Sequence, residues 1–527
     1  MRPPSASSRW RLPAIWVGLG VLALLVRVPF VLRVGPNEGG GDEWYAAWRA
    51  WCVLFEGGNP GNFLRPALFY DAGAALYAGL YAVGRASGAF HSPIDLLADF
   101  VRDEARYVRA LQLLAATFGA LTVPVVFELA RRVRGWRAGL VAAGVLTVLP
   151  LHVLYSQRAR VDSLCALLTA LAALALHGLA EHGRRRDFVL SGAAIGLATG
   201  TNYPAALLGV AYVAAAITAR RRQKPPALAR SFALGALAAV AAFALTNPYV
   251  FLAPQAAWNG FAFQLAFAAK QHPSLEKATA WFYLGMLGDQ SPLFAIVATC
   301  ASAWLAIRGP GFRRILGLFP WLVVVTFTAV RTQEDRYILI AMPWLCAAIG
   351  VLVGDALARA PRRTAVAAAC LVVVGVTTFQ LWERARPRVV AGTAEESPRW
   401  RMQRWLLEHA PSGGTIWIEA DAFPLLQATF ADPGGRLQER LREAFRRAHP
   451  RFDARILKGE FVERIANYDP TLVTEKQVDL AAACDRSVQY FRGAGPALAA
   501  PRAFHAALAE HGTRRFEAMG CWIATID

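Results

Sequence analysis

Short arginine clusters divide the chain into long apolar blocks, and this alternation limits its fold more than any single motif. The clusters are Arg2/Arg9/Arg11, "RRVRGWR" at 131–137, "RRR" at 184–186, "RRRQK" at 220–224, "RGPGFRR" at 308–314 and "RAPRR" at 359–363. Basic residues flanking apolar spans stay on the cytoplasmic side of a membrane. With all six clusters on that side, consecutive clusters must be joined by an even number of crossings. The expected spans are about eleven: 12–34, 107–130, 138–156, 162–180, 188–202, 204–219, 228–247, 288–307, 314–330, 337–357 and 363–382. A crossing takes about 20 residues, so the pair around "TNYP" (201–204) is short and reads as a tilted or broken hairpin. One apolar block, "ALFYDAGAALYAGLYAVG" (67–84), cannot cross without exporting "RRVRGWR". It is expected to lie in the outer interface, with Tyr70, Tyr77 and Tyr81 near the headgroups. The run Leu12–Val26 leads into "VRVPFVLRVG" rather than a small-residue cleavage site, so it reads as an uncleaved first span.

Composition agrees with a polytopic membrane protein. Hydrophobic residues make up 56% and charged residues 18%, against about 45–50% and 25% in soluble chains. The net charge of +19 sits in the clusters between blocks, as topology signals do. No aromatic-interleaved basic stripe suits nucleic acid, and none is expected as a partner. Of seven cysteines, Cys165, Cys300, Cys346 and Cys370 fall in apolar helices, and no spacing suits zinc.

The sequence is expected to divide at 382. Residues 1–382 form a membrane domain whose outer loop is 34–106. Residues 383–527 are polar and mix helix and strand patterns. "RWRMQRWLLEHA" (399–410) and "GRLQERLREAFRRA" (435–448) read as helices; "GGTIWIEA", "QVDLAAA" and "CWIATID" read as strands. The expected fold is therefore mainly α, with a small α/β domain outside the membrane. Cys484 and Cys521 lie in strand-like segments of that domain, where an oxidising compartment would allow a disulfide.

Candidate chemistry gathers at the outer ends of the spans. "GGGDEWYAAWRAW" (39–51) places Asp42 and Glu43 just above the first span. Asp42 reads either as a helix N-cap, with Trp44, Trp48 and Trp51 forming an interfacial stripe, or as a catalytic acid. "SQRARVDSL" places Arg158 and Asp162 four residues apart, as a helical ion pair or as substrate ligands. "TNPYVF" (246–251) ends another span. "AAKQHPS" adds Lys270 and His272, and "QEDRYILIAMPWL" adds Arg336 and Tyr337. Arginine pairs with phosphate through two parallel hydrogen bonds, and a carboxylate can accept a proton from a hydroxyl. No phosphate-cradling glycine loop for nucleotides, no Ser-His-Asp pattern and no HExxH occurs.

The ordered series resembles the GT-C membrane glycosyltransferases. It comprises the acidic pair, "RYVRALQLLAATFGALTVPVVFELARRVRGWRAGLVAAGVLTVLPLHVLYSQRARVDSL", "TNPYVF" and "DRYILIAMP". The branch is the bacterial one related to protein O-mannosyltransferases and lipid A aminoarabinose transferases, and the likeness covers about 12–382. It implies a polyprenyl-phosphate-linked sugar donor and a lipid, glycan or protein acceptor. The enzyme would work on the outer face of the inner membrane, with the N-terminus cytoplasmic and the C-terminal domain periplasmic or extracellular. Asp42 would be the base or acceptor-positioning residue, with Glu43 beside it. Arg158, Asp162 and Arg336 would lie near the donor phosphate; Tyr337, Lys270 and His272 are further candidate substrate ligands, the last two reading also as solvated loop residues. Many relatives carry His-Pro-Pro after the acids; here "FLRPALFYD" keeps only Pro66. Some bind a divalent metal near the acids; this sequence shows no clear additional ligand set, and metal stays open. A polyprenyl phosphate leaves as a stabilised anion, so one base and charge-stabilising arginines suffice for an inverting displacement. A lipid or sugar transporter or flippase, and a non-catalytic envelope assembly protein, are the alternatives; few mid-span charges and no internal repeat weigh against transport.

The cluster arithmetic predicts that a reporter fused after Asp527 is active only outside the cytoplasm. Cytoplasmic activity would reverse every site assignment above.

Overall fold

The computed structural model describes residues 6–33, 41–220, 225–269, 281–330, 334–359, 364–390, 398–419, 435–459, 467–484, 499–518 and 521–526. Its helices through the apolar region are α1 (Ala6–Arg33), α2 (Gly41–Phe55), α3 (Leu68–Ala86), α4 (Pro93–Arg102), α5 (Glu104–Arg134), α6 (Trp136–Val148), α7 (Pro150–Ser156), α8 (Asp162–His182) and α9 (Arg185–Thr199). There follow α10 (Leu208–Ala219), α11 (Pro225–Thr246), α12 (Pro248–Leu252), α13 (Pro254–Ala269), α14 (Phe282–Gln290), α15 (Pro292–Arg308), α16 (Phe312–Thr328), α17 (Met342–Arg359) and α18 (Thr364–Val390). Short 3-10 turns, Tyr203–Leu207 and Asp335–Ala341, precede α10 and α17. Boundaries follow local chemistry. Gly183 takes a left-handed conformation (φ 63°) that closes α8. At the start of α15, Ser291 accepts a hydrogen bond from the Phe294 amide at 3.2 Å, ahead of Pro292.

Among the described residues, five helices are long and apolar enough to cross a membrane: 12–33, 104–134, 162–182, 226–246 and 335–358. The pair α6–α7, bent by 62°, makes a sixth if taken as one span. Helices cover most of the other apolar segments, with breaks at Leu149 in 138–156 and at Ser291 in 288–307.

The chain forms two compact units. The first comprises 1–33, 62–73 and 111–392; the second comprises 34–61, 74–110 and 393–527. In the first unit, α9 and α11 meet backbone to backbone. A Cβ on Gly192 would collide with the carbonyl of Gly235, so glycine at this crossing is a packing requirement of the membrane kind.

The α6–α7 break has its own support. Pro150 opens α7 and lacks an amide, so the ladder from α6 cannot run on. Arg27 of α1, fully buried, donates to the Thr147 carbonyl at 3.3 Å and to the Ala23 carbonyl at 2.8 Å. It also donates to His152 Nδ1 at 2.9 Å. Gln157 Nε2 returns a bond to the Arg27 carbonyl at 3.2 Å, and Gln290 Oε1 accepts from the Leu151 amide at 2.7 Å. A Cβ on Gly119 of α5 would strike Ser156, which lets α5 lie directly against α7.

The "TNYP" and "TNPY" motifs anchor the segment 63–68. Asn247 Oδ1 accepts from the Ala67 amide at 2.6 Å while its Nδ2 donates to the Gly200 carbonyl at 3.2 Å. The Leu68 amide donates to the same carbonyl at 3.1 Å, and Tyr203 Oη donates to the Phe63 carbonyl at 3.1 Å.

The second unit is built around Trp51, which is fully buried. Its ring lies 4.4 Å from Tyr77, 4.9 Å from Phe100 and 5.4 Å from Tyr107. Two sequence expectations are corrected here. Tyr77 here and Tyr70 in the first unit are 0% and 1% exposed, so protein rather than headgroups surrounds each. Trp48 and Trp51 of the α2 stripe are likewise core, at 7% and 0% exposed, and aromatic rings from α3, α4 and α5 cover Trp51.

The rest of this unit comprises α19 (Pro398–His409), β1 (Gly414–Glu419), α20 (Arg436–Ala448), β2 (Ala454–Gly459), α21 (Thr471–Thr474), β3 (Leu480–Cys484), α22 (Ala499–His511), β4 (Gly512–Ala518) and β5 (Cys521–Ile526). The strand order is β2-β1-β3-β5-β4. β1 runs parallel to β2 and β3, while β5 is antiparallel to β3 and β4. Trp417, Phe504 and Trp522 form the core beneath it. Helix α20 docks on the loop helices: the Leu437 amide donates to Glu56 Oε1 at 2.6 Å, the Arg440 guanidinium sits 5.3 Å over Phe55, and Arg447 pairs with Asp95 at 3.4 Å.

In the β3–β5 ladder, Cys484 is the direct partner of Cys521; their side chains lie outside the described residues. Opposed Cα atoms of an antiparallel pair lie about 4.5–5.5 Å apart, within disulfide reach. Non-reducing peptide mapping is expected to recover these two cysteines as one linked pair. Quantitative alkylation of both in the unreduced protein would rule that out.

Candidate functional site

In the second unit, α2 begins at Gly41, so Asp42 and Glu43 are its second and third residues rather than its cap. Carboxylates in a first turn face the positive end of the helix dipole. Glu43 is 1% exposed. The side chain of Asp42, and all of Lys270 and His272, lie outside the described residues. Trp44 stacks on Trp48 at 5.4 Å and donates through Nε1 to Glu104 Oε2 at 3.2 Å. Glu104, buried at the start of α5, is therefore a second carboxylate set beside α2. The sequence reading overlooked it because "DEARY" looks like an ordinary helix start.

In the first unit, the end of α7 and the turn 157–161 carry an aromatic and ionic cluster. Tyr155 Oη donates a short hydrogen bond to Asp335 Oδ1. The guanidiniums of Arg158 and Arg160 lie 5.4 Å and 5.6 Å from the Tyr155 ring centre. Asp162 pairs with Arg160 at 3.1 Å, and both side chains are about 5% exposed or less. The expected Arg158–Asp162 helical pair is thus corrected: α8 starts only at Asp162, so Arg158 sits on the preceding turn, off the helical i,i+4 register. Among the described residues, Arg158 has no carboxylate partner.

The 3-10 turn Asp335–Ala341 supplies the other side of the cluster. Arg336 and Glu334 form a two-bonded pair, Nε to Oε2 at 2.6 Å and Nη2 to Oε1 at 2.7 Å. Tyr337 stacks on Phe327 at 4.9 Å, and Arg65, Arg160 and Asp162 lie within electrostatic range of its phenol. The structure therefore brings Arg158, Asp162, Arg336 and Tyr337 into one region. Tyr155, Arg160, Glu334 and Asp335 belong to it and were missed. The signal was present: all four lie within or next to "SQRARVDSL" and "QEDRY", where only the alternate charges were chosen.

The anchored segment 63–68 leads into Asp71 in the first turn of α3. Burial pushes this carboxyl up to about 7. Among the described residues, no three His, Cys, Asp or Glu side chains are grouped to hold a metal ion.

Several helices long and apolar enough to cross a membrane, one of them followed by a broken span, with a small mixed sheet, describe a multi-pass membrane protein. Residues 105–246 match the family model described as dolichyl-phosphate-mannose-protein mannosyltransferase. The fold matches ArnT from Cupriavidus metallidurans in the apo state, at 14% identity and TM-score 0.60 over 99% of both chains. The same ArnT bound to undecaprenyl phosphate matches at 14% identity and TM-score 0.58, again over 99% of both chains. The oligosaccharyltransferase AglB from Archaeoglobus fulgidus, in complex with an inhibitory peptide and a dolichol-phosphate, matches at 12% identity and TM-score 0.54, over 99% of this chain and 75% of that one. No curated protein matches by sequence.

Asp71 gives a pH prediction. Its folded value near 7 lies above the unfolded value of about 3.9. Folding therefore favours the protonated acid; stability from this group is fully present below about pH 4 and declines as pH rises through 7. Asp71→Asn should raise the melting temperature of the purified protein more at pH 8 than at pH 5. An equal shift at both values would separate Asp71 from that titration.

Proposed function

We propose that the chain is a polyprenyl-phosphate-sugar-dependent glycosyltransferase with about eleven spans. Its acids and the Arg158 cluster work at the outer membrane face, the N-terminus lies in the cytoplasm, and residues 383–527 are a soluble outer domain. The observation that carries the reading is the ionic cluster at the α7–α8 turn, in a chain whose fold matches a structure bound to undecaprenyl phosphate over nearly its full length. Arg160 and Arg336 are held by Asp162 and Glu334, which leaves the Arg158 guanidinium as the donor-phosphate ligand. It lies 5.4 Å from the centre of the Tyr155 ring, and Tyr155 is itself held by Asp335.

In the reaction, the Asp42 carboxylate takes the acceptor hydroxyl proton, assisted by Glu43. The hydroxyl oxygen bonds to the anomeric carbon from the face opposite the phosphate. The carbon–oxygen bond to phosphate breaks and its electron pair leaves on the phosphate oxygen, inverting the centre. Arginine stabilises that developing charge. Lys270 and His272 are assigned to the substrate side of the same reaction, and a divalent metal near the acids remains an open part of it.

The test is release of free polyprenyl phosphate from a polyprenyl-phosphate sugar by the purified full chain. Asp42→Asn should lower turnover by about 10²–10⁴-fold with unchanged melting temperature. Arg158→Gln should raise KM for the donor by about tenfold or more, the loss of a charged hydrogen bond. Wild-type turnover in Asp42→Asn would move the base to Glu43 or Asp162. Donor movement across vesicles without any release would favour a flippase.

A further inference from the structure

Helix α8 carries Asp162 at one end and His182 at the other, so about 30 Å of helix separates the ionic cluster from a second polar feature. There the first unit holds a cavity of about 1060 Å³. Four arginines line it, Arg132, Arg220, Arg313 and Arg314, against Glu181 as the carboxylate of its wall. Arg132 is paired with Glu128 at 2.7 Å and Arg313 with Asp355 at 3.2 Å, both fixed in direction by those contacts. Arg220 and Arg314 add two exposed guanidiniums. His177 also lines the cavity, and its Nδ1 is buried without a hydrogen-bond partner.

Apart from His182 and Thr218, the remaining wall is apolar, and it is open. Ile217 of α10 and Leu318 of α16 line the same cavity and are 55% and 49% exposed. A free phosphate would need neither this wall nor this volume. A molecule with an anionic head and hydrocarbon chains would use both, and basic recesses between membrane helices suit such heads.

We propose that this cavity binds the phosphate head group of an anionic phospholipid, with Arg220 and Arg314 on the head and Ile217 and Leu318 against the acyl chains. The inference is independent of the catalytic reading, since it concerns the opposite end of α8. Native mass spectrometry of the full chain in neutral detergent tests it, with phosphatidylglycerol or zwitterionic phosphatidylcholine added in turn. The wild type should retain phosphatidylglycerol about tenfold better than phosphatidylcholine. The exposed double substitution Arg220→Gln/Arg314→Gln should abolish that preference while leaving the melting temperature of the lipid-free protein unchanged. Equal retention of the two lipids by the wild type, or an unaltered preference in the double variant, would overturn the proposal. So would complete displacement of phosphatidylglycerol by equimolar inorganic phosphate, which would assign the site to the free anion; persistence of the lipid supports it.

Discussion

The buried guanidinium of Arg27 is the contact on which the first unit turns. An arginine inside an apolar bundle loses its hydration, and that costs several kcal/mol unless its donors are met. A broken helix in the same place exposes carbonyls with no water to satisfy them. Each feature offsets part of the other's penalty: the Thr147 carbonyl, left over by the Pro150 break, accepts from Arg27, although the Arg27 Nε has no partner among the described residues. The 62° bend then becomes a stable shape. It delivers Tyr155 to Asp335 and puts the Arg158–Asp162 turn where α8 begins. A straight span would carry the same residues in a different direction.

The loop after the first acids shows a related economy. Residues 63–68 make few contacts through their own secondary structure, yet two asparagine-containing motifs grip their backbone. Asn247 alone satisfies an amide of this segment and a carbonyl of the α9 end. Side-chain amides serve well here because one group both donates and accepts. Tyr203 adds a third point at Phe63.

How much of this was legible from the residues differs by feature. Apolar blocks bounded by arginines correspond to helices because both signals are local and one-dimensional. The region around Arg158, Asp162, Arg336 and Tyr337 was legible as charge at span ends. Its pairing was not: Asp162 takes Arg160 rather than Arg158 because the turn 157–161 precedes the helix, and this depends on where a single helix starts. Arg27 was passed over since a basic residue near a span end usually reaches for the headgroups; its partners beyond its own helix come from the break in another. β2 ("ARILKG") and β4 ("GTRRFEA") were unseen because both are edge strands rich in charge, whereas the inner strands β1, β3 and β5 carry the apolar run that pattern reading detects. Trp51 looked interfacial for want of knowing that Tyr77, Phe100 and Tyr107 would converge on it.

The second unit draws on chain segments made at opposite ends of synthesis. Leu437 closes on Glu56 across 381 residues, and β5 sits inside the sheet, between β3 and β4. At translation rates of about 5–20 residues per second, α2 waits on the order of tens of seconds for its partner helix. Throughout that time Phe55 and Glu56, at the end of α2, lack the helix that docks on them, and the sheet lacks an inner strand. The completion of this unit is therefore an event that follows synthesis of the later spans, while the aromatic core around Trp51 draws only on helices made early.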